Sequence, residues 1–394
     1  MTDTHSPVPR PTARSQVRRG GEQVVLTGAA VSTAFGRGVQ PLLEAAVAGR
    51  PGFRPVRRFD VTGRRVAVAA TTDEAPRLGD ELDRVIGDAC DEAGLRREER
   101  ADCPLYLAVH GDPDLPRASE ADGGRLGVDA FAAAVARRGG LSESVRAYTS
   151  ACVAASTAVA DAAAAIARGR AARIVVAAGY LVEQDQFALF DAGRALAVDG
   201  RVRPFSAHRS GLLLGDGVGA VVVESASAAN RRGASVLARL AGWGRTGDAY
   251  HVCKPRPDGV GLARAIGDAM QRASVGTEEI GYVNAHGSGT LQSDAAEAAA
   301  LHLALGDRAL TVPVSSTKSV HGQALEAGAM IELIVTLHAL RAGRLPVNAG
   351  FLGPDEECRL NLVLEQSAAT PGEYALSVNA AFGGANTALL VGAP

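Results

Sequence analysis

Short β-branched segments alternate with alanine-rich amphipathic stretches along almost the whole chain from residue 23 onward. This alternation predicts an α/β protein in which helices cover largely buried strands. Aromatic residues are only 4% of the chain, so the core must be built from closely packed Ala, Val and Leu. The predicted strands are 24–26, Leu105–Val109, 173–178, 220–224, 282–284, 312–315, 374–378 and 388–391. The predicted helices are 40–48, 81–93, Val128–Arg138, 153–168, 261–272, 294–305 and 326–342.

Charge, cysteine spacing and hydropathy exclude several classes of protein. The formal net charge is −2 and arginines are scattered among acids, which argues against nucleic acid as the main partner. The five cysteines include no C-x-x-C pair, which disfavours a disulfide framework and a zinc site and indicates a reducing compartment. No apolar run approaches the roughly 20 residues that a membrane span requires. We therefore expect a cytoplasmic protein without a metal, a membrane contact or a nucleic-acid partner.

The ends and the middle of the chain suggest its domain organisation. Residues 1–20 are rich in Pro, Arg and Ser and lack an apolar stretch, so we expect a disordered tail rather than a secretory signal. A polar segment at 224–233 is typical of a seam between two halves. We therefore predict an N-terminal half at 21–230 and a C-terminal half at 231–394.

A cysteine at the start of a predicted helix is the clearest candidate for chemistry. Cys152 follows Ser150 and Ala151 and precedes an alanine-rich stretch that ends near Gly169. Unpaired N–H groups and the positive end of the macrodipole at a helix start lower a thiol pKa and favour the nucleophilic thiolate. A free cysteine is also often a small buried hydrophobe, so its position alone leaves both interpretations open.

Several glycine-rich polar segments resemble, in the same order, motifs of β-ketoacyl-acyl-carrier-protein synthases. The sequence N-A-H-G-S-G-T at 284–290 is similar to N-A-H-G-T-G-T, and S-A-C-V-A-A-S around Cys152 is similar to T-A-C-A/S-S-G. P-F-S, R-x-G and G-D-G within 204–217 resemble P-F-D, R-x-G and G-E-G. N-A-A-F-G-G-A-N at 379–386 resembles N-S-F-G-F-G-G-T-N. The resemblance extends over residues 22–394.

The resemblance implies a thiolase-like fold, in which two similar halves each contain a mixed five-stranded sheet within an α-β-α-β-α sandwich. Members of the family load an acyl group onto the cysteine, decarboxylate a carrier-bound malonyl thioester and join the enolate to the acyl group. The implied partners are an acyl carrier protein, whose phosphopantetheine arm carries the substrates, and a second ketosynthase-type subunit in a homodimer or heterodimer. No metal or organic redox cofactor is implied. Carrier proteins are acidic, so the surface patch of this protein to which a carrier docks should be basic.

The resemblance also assigns individual site residues. Cys152 matches the nucleophile, and its N–H together with that of Phe382 matches the oxyanion hole, while the Phe382 ring gates the acyl pocket. His286 matches the first catalytic histidine, which binds the malonyl thioester and its enolate, and it follows a predicted strand, where α/β sites are commonly built. Ser288 and Thr290 match the hydroxyls that bind the phosphopantetheine arm.

The main departure from the family lies between residues 318 and 328. The family pattern K-S-x-x-G-H-x-x-G-A-x-G reads K-S-V-H-G-Q-A-L-E-A-G here, so Gln323 occupies the position of the second catalytic histidine. Lys318 is retained, Glu332 matches its family partner, and Glu326 replaces a glycine. Glutamine donates two hydrogen bonds but never ionises. Related Cys-His-Asn enzymes decarboxylate malonyl thioesters with an amide at this kind of position. The glutamine side chain has one more methylene, and a displacement of its amide by about 1 Å can lower the rate on the order of 10²-fold.

Three further polar residues near these motifs are given no catalytic role. His321 is an alternative base in place of Gln323, but an ordinary loop histidine is the favoured interpretation. Asp294 and Glu297 are interpreted as acids that complement a helix dipole.

The expected function is that of a ketosynthase of a dissociated fatty-acid or polyketide system, and the loss of a catalytic histidine favours secondary metabolism. Two alternatives remain. A chain-length-factor-like subunit, which pairs with an active ketosynthase without catalysis, is favoured by Gln323 and opposed by Cys152 and His286. A ketosynthase-like acyltransferase or cyclase without decarboxylation is also compatible with Gln323.

Overall fold

The computed structural model of the chain describes residues 21–72, 76–113, 127–366 and 370–394, and the predicted tail at 1–20 lies outside them. The strands are β1 (Val24–Thr33), β2 (Gly36–Arg37), β3 (Arg54–Pro55), β4 (Val68–Ala69), β5 (Leu105–Val109), β6 (Val145–Tyr148), β7 (Arg173–Tyr180), β8 (Gly217–Ser225), β9 (Ala238–Gly247), β10 (Ile280–Asn284), β11 (Val314–Ser315), β12 (Tyr374–Ala380) and β13 (Ala385–Gly392). The helices are α1 (Val39–Val47), α2 (Leu78–Glu92), α3 (Arg97–Ala101), α4 (Val128–Arg138), α5 (Ala154–Ala167), α6 (Gln184–Ala192), α7 (Ala226–Arg231), α8 (Val260–Ala273), α9 (Leu291–Leu305), α10 (Lys318–His321) and α11 (Gly328–Ala342).

Two groups of five strands repeat the same arrangement. The first runs β6-β5-β7-β8-β1 and the second β11-β10-β12-β13-β9. In each group the first two pairings are parallel and the last two antiparallel. Strands β1 and β9 pair through Val25 with Arg239 and Leu26 with Ala238, which joins the groups edge to edge. The mixed five-stranded sheets that the thiolase-like fold predicts are thereby confirmed.

Two apolar helices lie between the strand groups. Helix α5 packs against β7 and β8 of the first group and β9 and β13 of the second, and α11 likewise contacts β8 and β12. The sequence of α5, AASTAVADAAAAIA, consists mostly of small side chains, which allow close approach on both sides. Helices α2 and α4 cover the outer face of the first group, and α8 with α9 covers that of the second. These layers form the predicted α-β-α-β-α sandwich.

Parts of the sheet were not predicted, because glycine and alanine interrupt the apolar pattern that indicates a strand. Strand β1 continues to Thr33, beyond the predicted 24–26, and all of its residues are buried. Strand β9 was not predicted, because Gly242 and Gly244 interrupt its apolar pattern. A Cβ at either glycine would come within about 2 Å of a carbonyl oxygen of α8, so these glycines are required by helix packing and do not mark a loop. Strand β6 and helix α6 were also missed.

Several boundaries differ from the prediction. The polar segment at 224–233 contains helix α7, whose start is capped by Ser225, since its Oγ accepts from the N–H of Ala228 at 3.2 Å. The division into halves at residue 230 stays a prediction. The predicted helix 326–342 is split into a 3₁₀ turn, Leu325–Ala327, and α11. Among the residues that the structure describes, no helix combines the length and the apolar character needed to cross a membrane.

Candidate active site

Cys152 lies in a 3₁₀ turn, Ala151–Val153, between β6 and α5. The α-helix begins at Ala154, one residue after the predicted start at residue 153, and Cys152 lies in the 3₁₀ turn that leads into it. Ala151 has φ 50°, a left-handed conformation that few residues with a side chain adopt. Cys152 itself is half-buried. All five cysteines are free.

The electrostatic environment of Cys152 also differs from the expectation. Burial raises the pKa of its thiol to about 12, the Lys318 cation opposes this rise, and the carboxylates of Glu326 and Glu332 add to it. The prediction that a helix start lowers this pKa is therefore wrong, because desolvation outweighs the favourable charges. The resting thiol is protonated and must lose its proton during attack.

His286 follows β10 and is held at both its backbone and its ring. Its N–H donates to Glu297 Oε1 at 2.6 Å, and the N–H of Gly287 donates to Glu297 Oε2 at 2.7 Å. Ring atom Nδ1 lies 3.3 Å from Lys318 Nζ. Because an ammonium group only donates, Nδ1 accepts this bond and Nε2 carries the ring proton. Burial, with help from the Lys318 charge, holds the pKa of His286 well below its usual range, so the ring is a neutral donor.

A buried ion pair supports this histidine. Lys318 Nζ donates to the carbonyl oxygen of His286 at 2.8 Å and to Glu332 Oε1. Asn379 Nδ2 donates to the second oxygen of Glu332. The Lys318 and Glu332 side chains are 1% and 0% exposed, so each charge depends on these partners. Asn379 was not singled out in the sequence, although it begins the motif that contains Phe382.

Gln323 is held through its backbone. Its N–H donates to Leu213 O at 2.7 Å, and its carbonyl oxygen accepts from the N–H of Gly215 at 3.0 Å. Within the described ranges, buried Oε1 of its side chain has no hydrogen-bond partner. This oxygen lies 2.9 Å from where a Cβ on Gly328 would be, at the start of α11. The amide therefore retains unused hydrogen-bonding capacity.

His321 does not behave as the loop histidine that was expected. It ends helix α10, is fully buried and has Nε2 3.0 Å from Thr317 Oγ1. Burial lowers its pKa to about 3, and the Lys318 charge adds to this effect. A ring with so low a pKa binds a proton only weakly, so His321 is a poor substitute for a catalytic base.

Phe382 lies in the turn between β12 and β13. Its side chain is 55% exposed and stacks on Phe190 of α6, with the ring centroids 6.3 Å apart and the planes 20° apart. Gly383 and Gly384 have φ 85° and 75°, so the turn requires glycine at both positions. The turn that contains Cys152 packs against β12 and β13, which places the predicted gate beside the nucleophile.

The predicted phosphopantetheine hydroxyls lie together on the loop after His286. Ser288 Oγ is 3.0 Å from Thr290 Oγ1. Asp294 anchors this loop, because its carboxylate accepts from the N–H groups of Gly289 at 3.1 Å and Phe205 at 2.8 Å.

Asp294 and Glu297 thus fix the loop, where the sequence indicated only acids that complement a helix dipole. Their i, i+3 spacing just after a glycine-rich segment was the available signal. Burial raises the pKa of Asp294 to about 6 and that of Glu297 to about 8.

Comparison with known proteins places the chain among its relatives. Residues 115–229 match the family model for the N-terminal domain of beta-ketoacyl synthase, and residues 237–352 match the model for its C-terminal domain. A putative polyketide beta-ketoacyl synthase 1 of Streptomyces cyaneus is 33% identical, over 94% of this chain and 98% of that protein.

Two solved structures resemble the whole chain. The ishigamide ketosynthase/chain length factor has a TM-score of 0.87 at 27% identity, over 95% of this chain and 100% of its own. A type II PKS acyl-carrier protein in complex with its ketosynthase has a TM-score of 0.84 at 25% identity, with the same two coverages. The chain belongs to the β-ketoacyl synthase family of condensing enzymes.

Proposed function

We propose that this chain is the ketosynthase of a type II polyketide system, in which Cys152 takes an acyl group and joins it to a unit from a malonyl-acyl carrier protein. The observation that carries the proposal is the neutral His286 ring, which Lys318 holds with the ring proton on Nε2, in the same site as Cys152, whose thiol the Lys318 charge also affects. The phosphopantetheine arm of the carrier is the substrate handle, and Ser288 and Thr290 bind it.

The first half-reaction is transfer of the acyl group. Cys152 Sγ attacks the thioester carbonyl, and the backbone N–H groups of Cys152 and Phe382 stabilise the resulting oxyanion. When the tetrahedral intermediate collapses, the bond to the phosphopantetheine sulfur breaks and the thiol proton of Cys152 passes to that sulfur. The high pKa of Cys152 favours this exchange between two thiols over a standing thiolate.

The second half-reaction is decarboxylation and condensation. His286 Nε2–H and the Gln323 amide donate to the malonyl thioester oxygen, which develops negative charge as the bond to the carboxylate breaks and CO₂ leaves. The enolate carbon then attacks the acyl carbonyl on Cys152. The sulfur of Cys152 leaves and recovers a proton from water. Gln323 needs only to donate in this scheme, so its inability to ionise does not prevent the reaction.

The two alternatives carry less support. A chain-length-factor-like role is not favoured, because the relatives are ketosynthases and Cys152 and His286 are both present. A second ketosynthase-type subunit remains the proposed dimer partner. An acyltransferase without decarboxylation rests only on Gln323.

The test follows each half-reaction in turn. The purified protein is incubated with an acyl-carrier thioester, and the mass of the Cys152 peptide is followed. Malonyl-carrier protein is then added and CO₂ is measured. We expect acylation that Cys152→Ala abolishes and that Cys253→Ala, at an exposed cysteine, preserves. Absence of acylation would overturn the enzymatic function, and acylation without CO₂ would support the acyltransferase alternative.

A further inference from the structure

A polar pair beside Cys152 has no role in the reaction described above. Glu326 lies in the turn Leu325–Ala327, where the family motif has glycine. Its Oε1 is 3.1 Å from His110 Nδ1, just after β5. The Glu326 side chain is 3% exposed and that of His110 is 63% exposed, so the pair connects solvent to the interior.

The pair is adjacent to the nucleophile. The turn Leu325–Ala327 packs against the turn Ala151–Val153 and against the strands β5 and β7. Leu325, which precedes Glu326, has φ 39°, and Ala151, which precedes Cys152, has φ 50°. Each of the two facing turns therefore contains a strained residue that is not glycine. The carboxylate charge of Glu326 acts on the Cys152 thiol, as expected for groups that share one site.

Two buried polar atoms near this pair lack partners among the described residues. They are Glu326 Oε2 and the Tyr180 hydroxyl at the end of β7. Both side chains are almost completely buried, and the charge of Glu326 also acts on Tyr180. Leaving such an atom unsatisfied is unfavourable, so a ligand that hydrogen-bonds to it gains a corresponding advantage. A carboxylate oxygen only accepts, whereas a phenol both donates and accepts.

We propose that Glu326, Tyr180 and His110 form a polar subsite that selects an acyl group with a hydrogen-bond donor, a hydroxyl or an ammonium, near its thioester. The donor binds Glu326 Oε2, and the Tyr180 hydroxyl binds the same substituent from the other side. His110 binds Oε1 of Glu326 and thereby orients the carboxylate. A plain alkyl chain would leave both buried atoms unpaired. This selection rests on the proposed acylation of Cys152.

One test compares acyl thioesters of matched shape. The rate of Cys152 acylation is measured with 3-hydroxybutyryl against 3-methylbutyryl, and with 4-aminobutyryl against pentanoyl. We expect the wild type to prefer a donor-bearing member by about tenfold or more, from one hydrogen bond to a charged group. A preference in the first pair identifies a hydroxyl, and one in the second an ammonium. Glu326→Leu should remove the preference, and Tyr180→Phe should weaken it. Equal rates within both pairs, or a preference that survives Glu326→Leu, would overturn the subsite.

A second test does not depend on carrier proteins or on acyl transfer. Cys152 is modified with a methanethiosulfonate reagent that has an ethylammonium tail and with one that has a propyl tail, and the exposed Cys253 serves as the internal reference. We expect the ammonium reagent to be favoured at Cys152 over Cys253, and Glu326→Leu to remove the difference. This result, together with no acylation by any thioester, would reject the proposed function but not the subsite. An equal ratio at both cysteines would overturn the ammonium form of the subsite.

Discussion

His286 and Gln323 occupy the two positions at which the family motifs have histidine, and the structure supports them very differently. His286 is fixed through its N–H by Glu297 and through its ring by Lys318. Gln323 is fixed through its backbone, while its side-chain oxygen has no partner in the described ranges. The nearby Glu326 also has an unpaired oxygen. Hydrogen bonds therefore preorganise the His286 side of the site, whereas hydrogen-bonding capacity is unused at Gln323 and Glu326, where this chain departs from the family motif.

The largest contrast should appear in stability. Lys318→Met leaves Glu332 buried without its cation, and breaking a buried pair in this way costs about 3–5 kcal/mol. Gln323→Leu removes an unpaired oxygen of similar burial and should change the free energy of unfolding by less than about 1 kcal/mol. Urea unfolding of both variants measures the difference. Equal losses in the free energy of unfolding would show that the surroundings of His286 and of Gln323 contribute equally to stability.

The pH dependence of stability should reveal the Glu297 anchor. Burial raises the pKa of Glu297 in the folded protein from 4.5 to about 8, so the folded state binds this proton more tightly than the unfolded state does. The resulting stabilisation is complete below about pH 4.5 and is lost as the pH rises through 8. Relative to Glu297→Gln, the wild type should lose stability across this window with a slope of up to about 1.4 kcal/mol per pH unit. Parallel stability curves for the two proteins would contradict the anchor's raised pKa.

Replacing Gln323 by the histidine of the family motif should raise the rate of decarboxylation moderately. We expect Gln323→His to raise CO₂ release from malonyl-carrier protein about tenfold, because a shorter, ring-shaped donor corrects the displacement of the longer amide. Acylation of Cys152 should remain within about threefold of the wild-type rate, since Gln323 acts after acylation. No gain in CO₂ release would show that Gln323 does not limit decarboxylation.

The smallest effect is expected in the turn that contains Phe382. The stacked rings of Phe190 and Phe382 contribute about 0.5–1.5 kcal/mol beyond their buried area. Phe190→Leu should therefore speed amide hydrogen exchange in the turn 381–384 by a factor of about 2–10, while exchange in β12 stays unchanged. Exchange that stays as slow as in the wild type would show that the stacked rings do not stabilise this turn.

The sequence predicted the fold well where apolar pattern and motif agree, as in β5, α4 and the order of the motifs. It failed at β9, because glycines needed for contact with α8 look like loop residues when read alone. It also predicted a lowered pKa for Cys152 at the start of a helix, since no local pattern indicates that the thiol is desolvated by packing from distant segments. The ion pair of Lys318 with Glu332 was expected from the resemblance, whereas Asn379 and the pairing of Glu326 with His110 depend on tertiary contacts.

The most direct test of this account is single-turnover CO₂ release from enzyme already acylated on Cys152. Malonyl-carrier protein is added to the wild type, to Gln323→Leu and to His286→Ala, and release is timed. If the preorganised His286 side provides most of the enolate stabilisation, the wild type releases CO₂, Gln323→Leu is slower by about tenfold or less, and His286→Ala is slower by about 10² or more. No release from the wild type, or equal losses in the two variants, would contradict the account.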